Sequence, residues 1–461
     1  MKTAIWWIRR DVRLEHNAAL AAALNNAERV VPVFVVDPEL LASPYLSRQR
    51  FAFLIGGLRE LDESLRKRGS RLVVRHGRPL PELSRIFRET GAESIYCEQD
   101  VSPYAQKRDR ELLNSLPLKS VWGLSYLSPL RVRKPDDSPY TKFSAYRRTW
   151  LREAARRSTS VFKAPSRLPD IGGIPSDRLP DVRARDDSLF PPGEREAKRR
   201  LSDFSRRIHS YAELRNRLDL EGTSRLSPYF RFGNLSAQRA VSVAFDAIED
   251  ASGKGEMKGA ETWLAELIWR EFYISVLSHF PEARNRSFRG EGRFMHWRDD
   301  EDDFAAWCEG RTGYPAVDAG MRELSRTGFM HNRARMITAS FLTKHLLIDW
   351  RRGERWFMQH LIDGDPAANN GGWQWTAGTG TDAAPYFRVF NPVLQGKRFD
   401  PDGRYVKRWL PELRDRPRAS VHEPDRPIVS HTEARVRALR AFEEARKRAR
   451  SSRRHESDRN D

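Results

Sequence analysis

The sequence predicts an N-terminal α/β domain, built on a doubly wound parallel sheet, followed by a large all-helical domain. Over residues 1–126, continuous apolar runs alternate with amphipathic segments. Such runs are typical of parallel strands that helices cover on both faces. From residue 193 to residue 440 the strand signals stop, and each long segment has the periodicity of an α-helix. The two patterns therefore predict two domains of different class.

Five apolar runs predict the strands of the α/β domain. They are AIWWI (4–8), RVVPVFVVD (29–37), RLVVRHG (71–77), SIYCEQD (94–100) and SVWGL (120–124). The segments between them predict helices, among them the long amphipathic stretch 47–69. The basic loop RRDVR (9–13) follows the first strand, at the end where open α/β sheets bind ligands. A salt-bridged structural loop is at least as good an interpretation of these residues as a ligand loop.

Residues 127–192 are rich in Pro, Ser, Arg and Asp, and they separate the two domains. This composition predicts a mostly irregular linker with one helix at 143–155, long enough to wrap over a surface. The helical domain is expected to span 193–440. The segment EARVRALRAFEEARKRARSSRRHESDRND (433–461) is expected to be a charged helix that runs into disorder, with 441–461 as a disordered tail.

The charge of the chain indicates a polyanionic partner. Lys and Arg number 82 against 63 Asp and Glu, a formal net charge of +19. Nucleic acid is the first candidate, while a solubility function or an Arg-rich proteome is the alternative. Two cysteines, Cys97 and Cys308, are too few for a disulfide framework or a cysteine zinc site. Without a membrane span or a signal peptide, a cytoplasmic protein with no metal site is expected.

One segment, DGDPAANNGGWQWTAGTGTDAAPYFRVFNP (363–392), concentrates polar and aromatic residues. Its first thirteen residues contain Asp363, Asp365, Asn369, Asn370, Trp373 and Trp375. This is too polar for a core helix and too aromatic for an ordinary loop. Buried carboxylates and amides need hydrogen-bond partners, because leaving them unpaired is costly. The segment therefore predicts a site for a large ligand that is both polar and aromatic.

A second group of candidates lies on the predicted helix ETWLAELIWREFY (261–273). Glu266, Trp269, Arg270 and Tyr273 are spaced so that all four lie near one face. A binding face is one interpretation, and an ordinary Glu–Arg pair beside core aromatics is the other.

The segment TGFMHNRARMITASFL (327–342) is a third candidate. Asn332 and Met336 share a helix face, whereas Arg333 and Arg335 project differently. Asn beside Met suits a flat, partly polar ring, and one of the two arginines suits a buried acid. A core methionine with a capping Asn is the alternative.

The segment EGTSRLSPYFRFG (221–233) predicts a helix start with small hydroxyl residues, Thr223, Ser224 and Ser227. Hydroxyls and backbone N–H groups at such a position form anion sites of the kind that hold phosphates. An ordinary helix N-cap is the commoner alternative.

Six long segments form the most specific pattern in the chain. They are WWIRRDVRLEHNAAL (6–20), GTSRLSPY (222–229), WLAELIWREFY (263–273), GYPAVDAGMREL (313–324), GFMHNRARMITASFLTKHLLIDW (328–350) and IDGDPAANNGGWQWTAGTGTDAAPYFRVFNP (362–392). Together they resemble the photolyase/cryptochrome family, and within it the microbial class I cyclobutane pyrimidine dimer photolyases. The resemblance covers nearly the whole chain. It implies an α/β antenna domain, a wrapping linker and a helical domain that holds FAD in a U shape.

The resemblance implies FAD as the cofactor, active in its reduced anionic form. The implied cofactor-binding positions are Tyr211, Thr223, Ser224, Arg225, Leu226, Ser227, Trp263, Arg335, Asp363, Gly364, Asp365 and Asn369. Asp363 is expected to pair with Arg335, so that neither charge is buried alone. Asn369 is expected to face N5 of the flavin, where a neutral amide tolerates the reduced ring better than a carboxylate does.

The resemblance also implies the substrate, UV-damaged DNA bound without sequence preference. The implied catalytic positions are Glu266, Asn332, Met336 and Asn369. The implied lesion and DNA contacts are Arg215, Glu266, Trp269, Arg270, Tyr273, Asn332, Arg333, Trp375, Gln395 and Lys397. Trp269 and Trp375 are expected to form aromatic walls around a flipped dimer. In the implied reaction, light drives an electron from reduced FAD to the dimer, the cyclobutane ring opens and the electron returns.

Three tryptophans, Trp297, Trp350 and Trp373, match the family's chain that passes electrons from the surface to oxidised flavin. Trp373 is expected to lie nearest the cofactor. Trp307 and Trp356 are interpreted as core residues.

The alternatives differ in function. A (6-4) photolyase is disfavoured because that branch tends to carry His where this chain has Asn332 and Met336. A cryptochrome-type blue-light photoreceptor without repair activity is the main alternative, and a flavin-free nucleic-acid-binding module is a third. A monomer is expected in each case.

The identity of a second, antenna chromophore stays open. Family members that use methenyltetrahydrofolate often carry an Asn-Glu pair where this chain has Tyr104 and Ala105. Methenyltetrahydrofolate, 8-hydroxydeazaflavin, a flavin and no antenna at all remain as possibilities.

Overall fold

Five parallel strands form the first part of the chain: β1 (Thr3–Ile8), β2 (Arg29–Val36), β3 (Val73–His76), β4 (Ser94–Glu98) and β5 (Leu118–Val121). They lie in the order β3-β2-β1-β4-β5. The order reverses beside β1, so the loop that follows Ile8 opens at the switch point of the sheet. The computed structural model describes residues 2–157, 162–182, 189–385 and 387–457.

Helices cover both faces of this sheet, which confirms the doubly wound parallel prediction. They are α1 (Ala18–Asn26), α2 (Pro38–Leu41), α3 (Arg48–Arg66), α4 (Pro79–Thr90) and α5 (Pro103–Leu113). Successive β1 side chains enter opposite cores: Trp6 packs with α1 and α3, and Trp7 packs with α4 and α5. Side-chain caps begin several of these helices, such as Asn17, whose Oδ1 accepts from the backbone N–H of Leu20.

The linker packs along one edge of this domain. It contains α6 (Phe143–Ala155). Further on, Leu168 donates its backbone N–H to the Arg68 carbonyl, and Asp177 donates to the Val74 carbonyl of β3. The linker thus occupies hydrogen-bonding groups of the edge strand, which would otherwise be open to another chain. Residues 158–161 and 183–188 of the predicted linker lie outside the described residues.

The rest of the described chain is helical. The helices are α7 (Glu194–Ser205), α8 (Tyr211–Leu214), α9 (Ser227–Arg231), α10 (Ala237–Glu249), α11 (Lys254–His279), α12 (Glu301–Glu309), α13 (Pro315–Thr327), α14 (Asn332–Ser340), α15 (Trp350–His360), α16 (Pro366–Ala377), α17 (Pro392–Phe399), α18 (Arg404–Trp409) and α19 (His431–Ser457). A π-helical turn, Phe341–His345, continues α14. Short 3-10 turns lie at Ile208–Ser210, Pro281–Arg284, Gly290–Phe294 and Pro411–Leu413.

Helix α11 is the central helix of this domain, and Glu271 ties it to the linker. The Glu271 carboxylate is 2% exposed and accepts from the backbone N–H groups of Tyr126 and Leu127. It also accepts from Nε1 of Trp150 on α6, at 2.7 Å. Burial raises the pKa of this carboxyl group, and the three donors oppose that rise. One buried acid therefore joins the end of the α/β domain, the linker and the helical domain.

The prediction of a disordered tail is wrong for residues 441–457, because α19 continues to Ser457, and residues 458–461 lie outside the described residues. Ala434, Ala438, Phe442, Ala445 and Ala449 are all buried. Their spacing of three to four residues places them on one helix face. Phe442 of this stripe packs edge-on against Trp297 with ring centroids 6.5 Å apart. The charged residues cover the other faces, so the high charge density hid an amphipathic helix.

The helices seen in the described part of the chain are all too short or too polar to cross a bilayer.

Cys97 and Cys308 are both buried free thiols. Burial raises the pKa of the Cys308 thiol to about 12, which keeps it protonated and unreactive at neutral pH.

Candidate functional site

A cavity of about 470 Å³ opens between α11, α14, α16 and the loops that precede α9 and α16. Most of the predicted site residues line it together: Tyr211, Arg215, Thr223, Ser224, Arg225, Leu226, Ser227, Trp263, Glu266, Trp269, Arg270, Tyr273, Asn332, Arg335, Met336, Asp363, Gly364, Asp365, Asn369, Trp373 and Trp375. These residues come from segments more than 150 positions apart in the sequence. The fold thus assembles the candidate groups into one concave site, the usual form of a ligand-binding pocket.

Helix α11 supplies one wall of the cavity. Glu266 forms an ion pair with Arg215 at 2.7 Å. Burial raises the pKa of Glu266, and the neighbouring Arg215 opposes the rise. Trp269 stacks on Phe143 of α6 with centroids 3.7 Å apart and planes inclined by 8°. Phe143 covers one face of the indole, Phe272 and Tyr273 also pack against it, and Trp269 still lines the cavity.

Arg270 lines the cavity but directs its guanidinium towards the α/β domain. It donates to the carbonyl oxygens of Leu124 and Phe230. Burial lowers the pKa of Arg270. The guanidinium of Arg270 is therefore already hydrogen-bonded to two carbonyl oxygens, with which the predicted contact to the lesion would compete. Helix spacing alone did not show these two partners.

The start of α14 forms the next wall. His331 caps this helix, because its Nδ1 accepts from the backbone N–H of Arg333. Burial lowers the pKa of His331 to about 3, and Arg335 adds to the effect, so the imidazole stays neutral and can accept this bond. Asn332 and Met336 lie together, with Nδ2 of Asn332 3.9 Å from the Met336 sulfur. A neutral, partly polar surface faces the cavity here.

The expected ion pair between Asp363 and Arg335 is present. Nη2 of Arg335 lies 2.8 Å and 3.1 Å from the two carboxylate oxygens of Asp363. The Asp363 side chain is only 2% exposed, against 24% for Arg335. Nε of Arg335 also donates to the Met330 carbonyl. The pair fastens the loop between α15 and α16 to the α14 wall.

Helix α16 presents the residues of the aromatic segment. Nδ2 of Asn369 donates to the backbone carbonyl and the carboxylate of Glu354, at 3.0 Å each. This leaves the Asn369 carbonyl oxygen for other contacts. A Cβ on Gly371 would collide with the ring of Tyr273, and one on Gly353 would collide with Trp373. These two glycines let α16 approach α11 and α15 closely.

The hydroxyl segment before α9 lines the cavity through Thr223, Ser224 and Ser227. Helix α9 has only five residues and no side-chain cap, so the N-cap interpretation of these hydroxyls does not hold. Arg225 adopts a left-handed backbone conformation with φ of 50°, and it pairs with Glu221 at 3.2 Å. Such a conformation is costly for a residue with a side chain and is often associated with a binding site.

Five predicted site residues lie outside this cavity: Trp297, Arg333, Trp350, Gln395 and Lys397. Arg333 donates to Oδ1 of Asn216, and Lys397 forms an exposed ion pair with Glu423. Gln395 leaves its buried Oε1 without a hydrogen-bond partner among the described residues. DNA contacts by these three side chains stay predictions.

The three tryptophans of the predicted electron chain differ in how deeply they are buried. Trp373 is 2% exposed, and its ring packs edge-on against Phe357 and Trp307, with centroids 4.9 Å and 6.0 Å away. Trp350 is buried, and Trp297 is partly exposed beneath α19. Trp307 is fully buried, as a core residue should be, whereas Trp356 is partly exposed and packs on His360. The electron-transfer roles stay predictions.

The sequence analysis missed several residues that line the cavity. Phe329, His331, Phe230, Arg231 and Phe357 all line the cavity. Apolar residues in helical segments are ordinary core residues on pattern alone. Arg231, however, stands between two phenylalanines, and a charged residue in an apolar run was a usable signal.

Two family models match the chain: DNA photolyase over residues 4–166, and the FAD binding domain of DNA photolyase over residues 263–455. Curated relatives match over nearly the full length. The deoxyribodipyrimidine photo-lyase of Escherichia coli (strain K12) is 38% identical over 97% of this chain and 100% of its own length. The deoxyribodipyrimidine photo-lyase of Streptomyces griseus is 40% identical over 96% of this chain and 99% of its own length.

The chain belongs to the DNA photolyase family.

Solved structures agree with this assignment of the photolyase. A bacterial class III photolyase from Agrobacterium tumefaciens superimposes with a TM-score of 0.88 at 35% identity, covering 97% of this chain and 98% of that one. An archaeal photolyase from Sulfolobus tokodaii, solved with two FAD molecules, gives 0.81 at 32% identity, over 96% and 100%. A Synechocystis cryptochrome gives 0.84 at 28% identity, over 96% and 99%.

The photolyase has an FAD-binding domain, and its cavity fits such a cofactor. Three buried donors that line the cavity have no partner among the described residues: Nη1 of Arg231, Nε2 of His331 and Nε1 of Trp373. Buried polar groups are normally hydrogen-bonded, so these atoms indicate a ligand with several acceptors. The aromatic walls suit a flat ring system, and Arg225 and Arg231 suit a pyrophosphate.

Proposed function

We propose that this photolyase repairs UV-damaged DNA by splitting cyclobutane pyrimidine dimers in light. The observation that carries the proposal is the joint placement of two sets of residues around one cavity. The inner set, from Thr223 to Ser227 with Arg335 and Asp363, suits FAD. The outer set, Glu266, Trp269, Asn332, Met336 and Trp375, suits a pair of pyrimidines. A cofactor and a flipped lesion would then lie side by side in one pocket.

Bound reduced FAD supplies a photoexcitable electron donor, and the protein supplies binding, orientation and electrostatics. Asp363 and Arg335 would hold the ring-bearing part of the cofactor, and the 223–227 segment its phosphates. Asn369 is neutral and fixed by Glu354, so its carbonyl oxygen can meet a flavin N–H without adding negative charge. The assignment of these roles rests on the side chains that line the cavity.

The outer set of residues would hold the lesion. Trp269 and Trp375 present aromatic surface to the cavity, and Asn332 and Met336 add a neutral, partly polar surface. The Glu266 carboxylate, held by Arg215, can accept a hydrogen bond from a pyrimidine N–H, while burial raises its pKa. Flipping a damaged base step out of the duplex costs a few kcal/mol, less than for an intact pair. A pocket with these groups selects damage rather than sequence.

We expect the Trp269→Ala variant to lose affinity for dimer-containing DNA by about 5- to 100-fold, because stacking on an aromatic side chain is worth about 1–3 kcal/mol per base. Affinity for undamaged DNA should change by less than about twofold, since phosphate contacts dominate there. Fluorescence anisotropy with matched damaged and undamaged duplexes measures both. Trp269→Phe is the matched control, because it keeps a ring on Phe143. Equal losses on the two duplexes would overturn the pocket assignment.

A blue-light photoreceptor without repair activity is the alternative function, and the likeness to the Synechocystis cryptochrome is the observation that favours it. The two functions share the FAD-binding part of the cavity and differ in the lesion-binding part. Selective binding of dimer-containing DNA would favour repair. Indifference to the dimer would favour the photoreceptor.

The α/β domain is proposed to carry a second, antenna chromophore, and its chemical identity stays open. The Tyr104 hydroxyl donates a hydrogen bond to the Asp37 carboxylate at the carboxyl end of the sheet. Burial raises the pKa of Tyr104, and the hydrogen bond to Asp37 raises it further, so the phenol stays protonated. Tyr104 is thus already engaged where folate-binding relatives often carry a folate contact. Extraction of the chromophores from purified protein would identify the antenna.

A further inference from the structure

The basic loop after β1, residues 9–13, forms ion pairs within the protein, and one of its arginines contacts the helical domain. Arg9 pairs with Asp109 at 2.7 Å, inside the α/β domain. Arg10 instead reaches the helical domain, where its Nη2 pairs with Asp365 at the cavity. Arg9 and Arg10 therefore both pair with an aspartate, Arg9 within the α/β domain and Arg10 in the helical domain.

Arg10 is fixed from several sides. Its Nη1 lies 3.4 Å from Asp100, and its Nε donates to the backbone carbonyl of Arg231 at 3.2 Å. Its own carbonyl lies so close to Gly233 that a Cβ there would collide with it. The guanidinium is largely buried, with 12% of the side chain exposed. These contacts hold the Arg10 guanidinium against Asp365.

Asp365 divides its two oxygens between Arg10 and a helix. Oδ1 accepts from the backbone N–H groups of Ala367 and Ala368, at 2.9 Å and 3.1 Å, and so caps α16. Oδ2 meets Arg10. Burial alone would raise the pKa of Asp365, but Arg10 and the neighbouring arginines hold it below its usual range. The charged cap of α16 thus depends on a residue of the other domain.

Helix α16 carries the inner wall of the cavity. Asn369, Gly372, Trp373 and Trp375 line the cavity from this one helix. A rotation or shift at its first turn moves all of them together, because a helix is stiff over so short a length. The Arg10–Asp365 contact lies at that first turn.

A second arginine of the α/β domain acts on the same segment. Arg50 of α3 donates to the backbone carbonyls of Met358 and Leu361, at 2.6 Å and 2.9 Å. These carbonyls end α15, where a cation is favourable. Arg50 also lies against Gly364, where a Cβ would leave it too little room. Arg50 and Arg10 thus hold the two ends of the connection between α15 and α16.

We propose that Arg10 is a positioning residue for the FAD site: it reaches from the α/β domain to hold the Asp365 cap and, with it, the α16 wall. The proposal rests on the proposed function only in taking this cavity as the place where FAD binds. It gives the α/β domain a structural role in cofactor binding that is separate from any antenna role.

The first experiment compares the Arg10→Gln and Arg9→Gln variants. Arg10→Gln is expected to weaken FAD binding by about tenfold, the scale of coupling between residues in contact, and to alter the visible circular dichroism of bound FAD. Arg9→Gln removes an equally buried ion pair of the same loop inside the α/β domain. It is expected to lower the thermal midpoint at least as much, with FAD affinity within about twofold of wild type. Arg10→Lys should recover part of the lost affinity.

A double-mutant cycle with Asp365→Asn separates positioning from general instability. Adding Arg10→Gln to Asp365→Asn is expected to change FAD affinity by less than about twofold, because their effects share one contact. Unchanged FAD affinity and dichroism in both Arg10 variants would overturn the proposal, as would equal FAD loss in Arg9→Gln. Should Arg10→Gln not fold, Arg10→Lys and the Asp365→Asn background carry the same comparison. A wild-type protein without FAD would count against the cavity assignment instead.

Discussion

Replacing Asp363 with alanine is expected to weaken FAD binding by roughly thirty-fold. Breaking a buried ion pair costs about 3–5 kcal/mol, and about 2 kcal/mol is expected here because Arg335 is partly exposed. Asp363 is 2% exposed on its side chain, and its loss leaves the Arg335 guanidinium unpaired at the cavity wall. Titration of the apoprotein with FAD, followed by flavin fluorescence, measures the change.

Asp400→Ala is the matched control for Asp363→Ala. Asp400 is also a buried carboxylate, and it accepts from the backbone N–H groups of Tyr405 and Val406, away from the cavity. Its loss should lower the thermal midpoint without weakening FAD binding. If Asp363→Ala bound FAD as wild type does, or if Asp400→Ala lost as much, the FAD site would have to lie elsewhere.

The Glu271→Ala variant is expected to show the largest loss of stability. Three buried donors, from Tyr126, Leu127 and Trp150, would lose the carboxylate that accepts their hydrogen bonds. Each buried donor left unpaired costs about 1–3 kcal/mol, so a total of about 4 kcal/mol is expected. Because the entropy of unfolding scales with chain length, each kcal/mol shifts the midpoint of a 461-residue chain by about 1 °C, so the thermal midpoint should fall by roughly 4 °C. Differential scanning calorimetry measures the change.

Glu271→Gln tests the reason for that loss. Its amide oxygen can still accept from two of the donors, so we expect about half of the destabilisation. The proteolytic sensitivity of the linker should rise in the same order, because Glu271 anchors it to α11. Similar midpoints for wild type and Glu271→Ala would show that the contacts of this carboxylate are not needed to join the domains.

The parallel sheet was predictable because its strands are buried on both faces and leave long apolar runs. β1 and β2 match their predicted runs to within one residue. β5 is shifted, at Leu118–Val121 against the predicted 120–124. It is an edge strand, and its position is set by pairing with β4, where Leu118 lies opposite Ile95. Hydrophobicity alone does not show which residues of an edge segment pair.

The candidate site was predictable as far as local spacing reaches. The interval from Glu266 to Tyr273 placed four side chains on one face of α11, and all four line the cavity. Spacing could not show that Arg215 would pair with Glu266, or that Arg10 would pair with Asp365. The second pair joins residues 355 positions apart. Such contacts depend on how the domains pack.

Charge misled the interpretation of the C-terminal residues. The dense Arg, Lys and Glu residues suggested a solvated tail, yet small apolar residues from Ala434 to Ala449 recur at helical spacing. Alanines contribute little to a hydrophobicity average, but they allow close packing. The stripe was visible in the sequence once its period was considered separately from the charge.

Light-dependent splitting of a defined lesion distinguishes dimer repair from light signalling. Oligothymidine that contains cyclobutane dimers is illuminated with reduced, FAD-loaded protein, and monomeric thymines are measured against a dark sample. Thymine monomers should be recovered in light and not in the dark, with no net consumption of reduced FAD. A protein that holds FAD yet restores no thymine under illumination would rule out dimer repair and favour a blue-light photoreceptor.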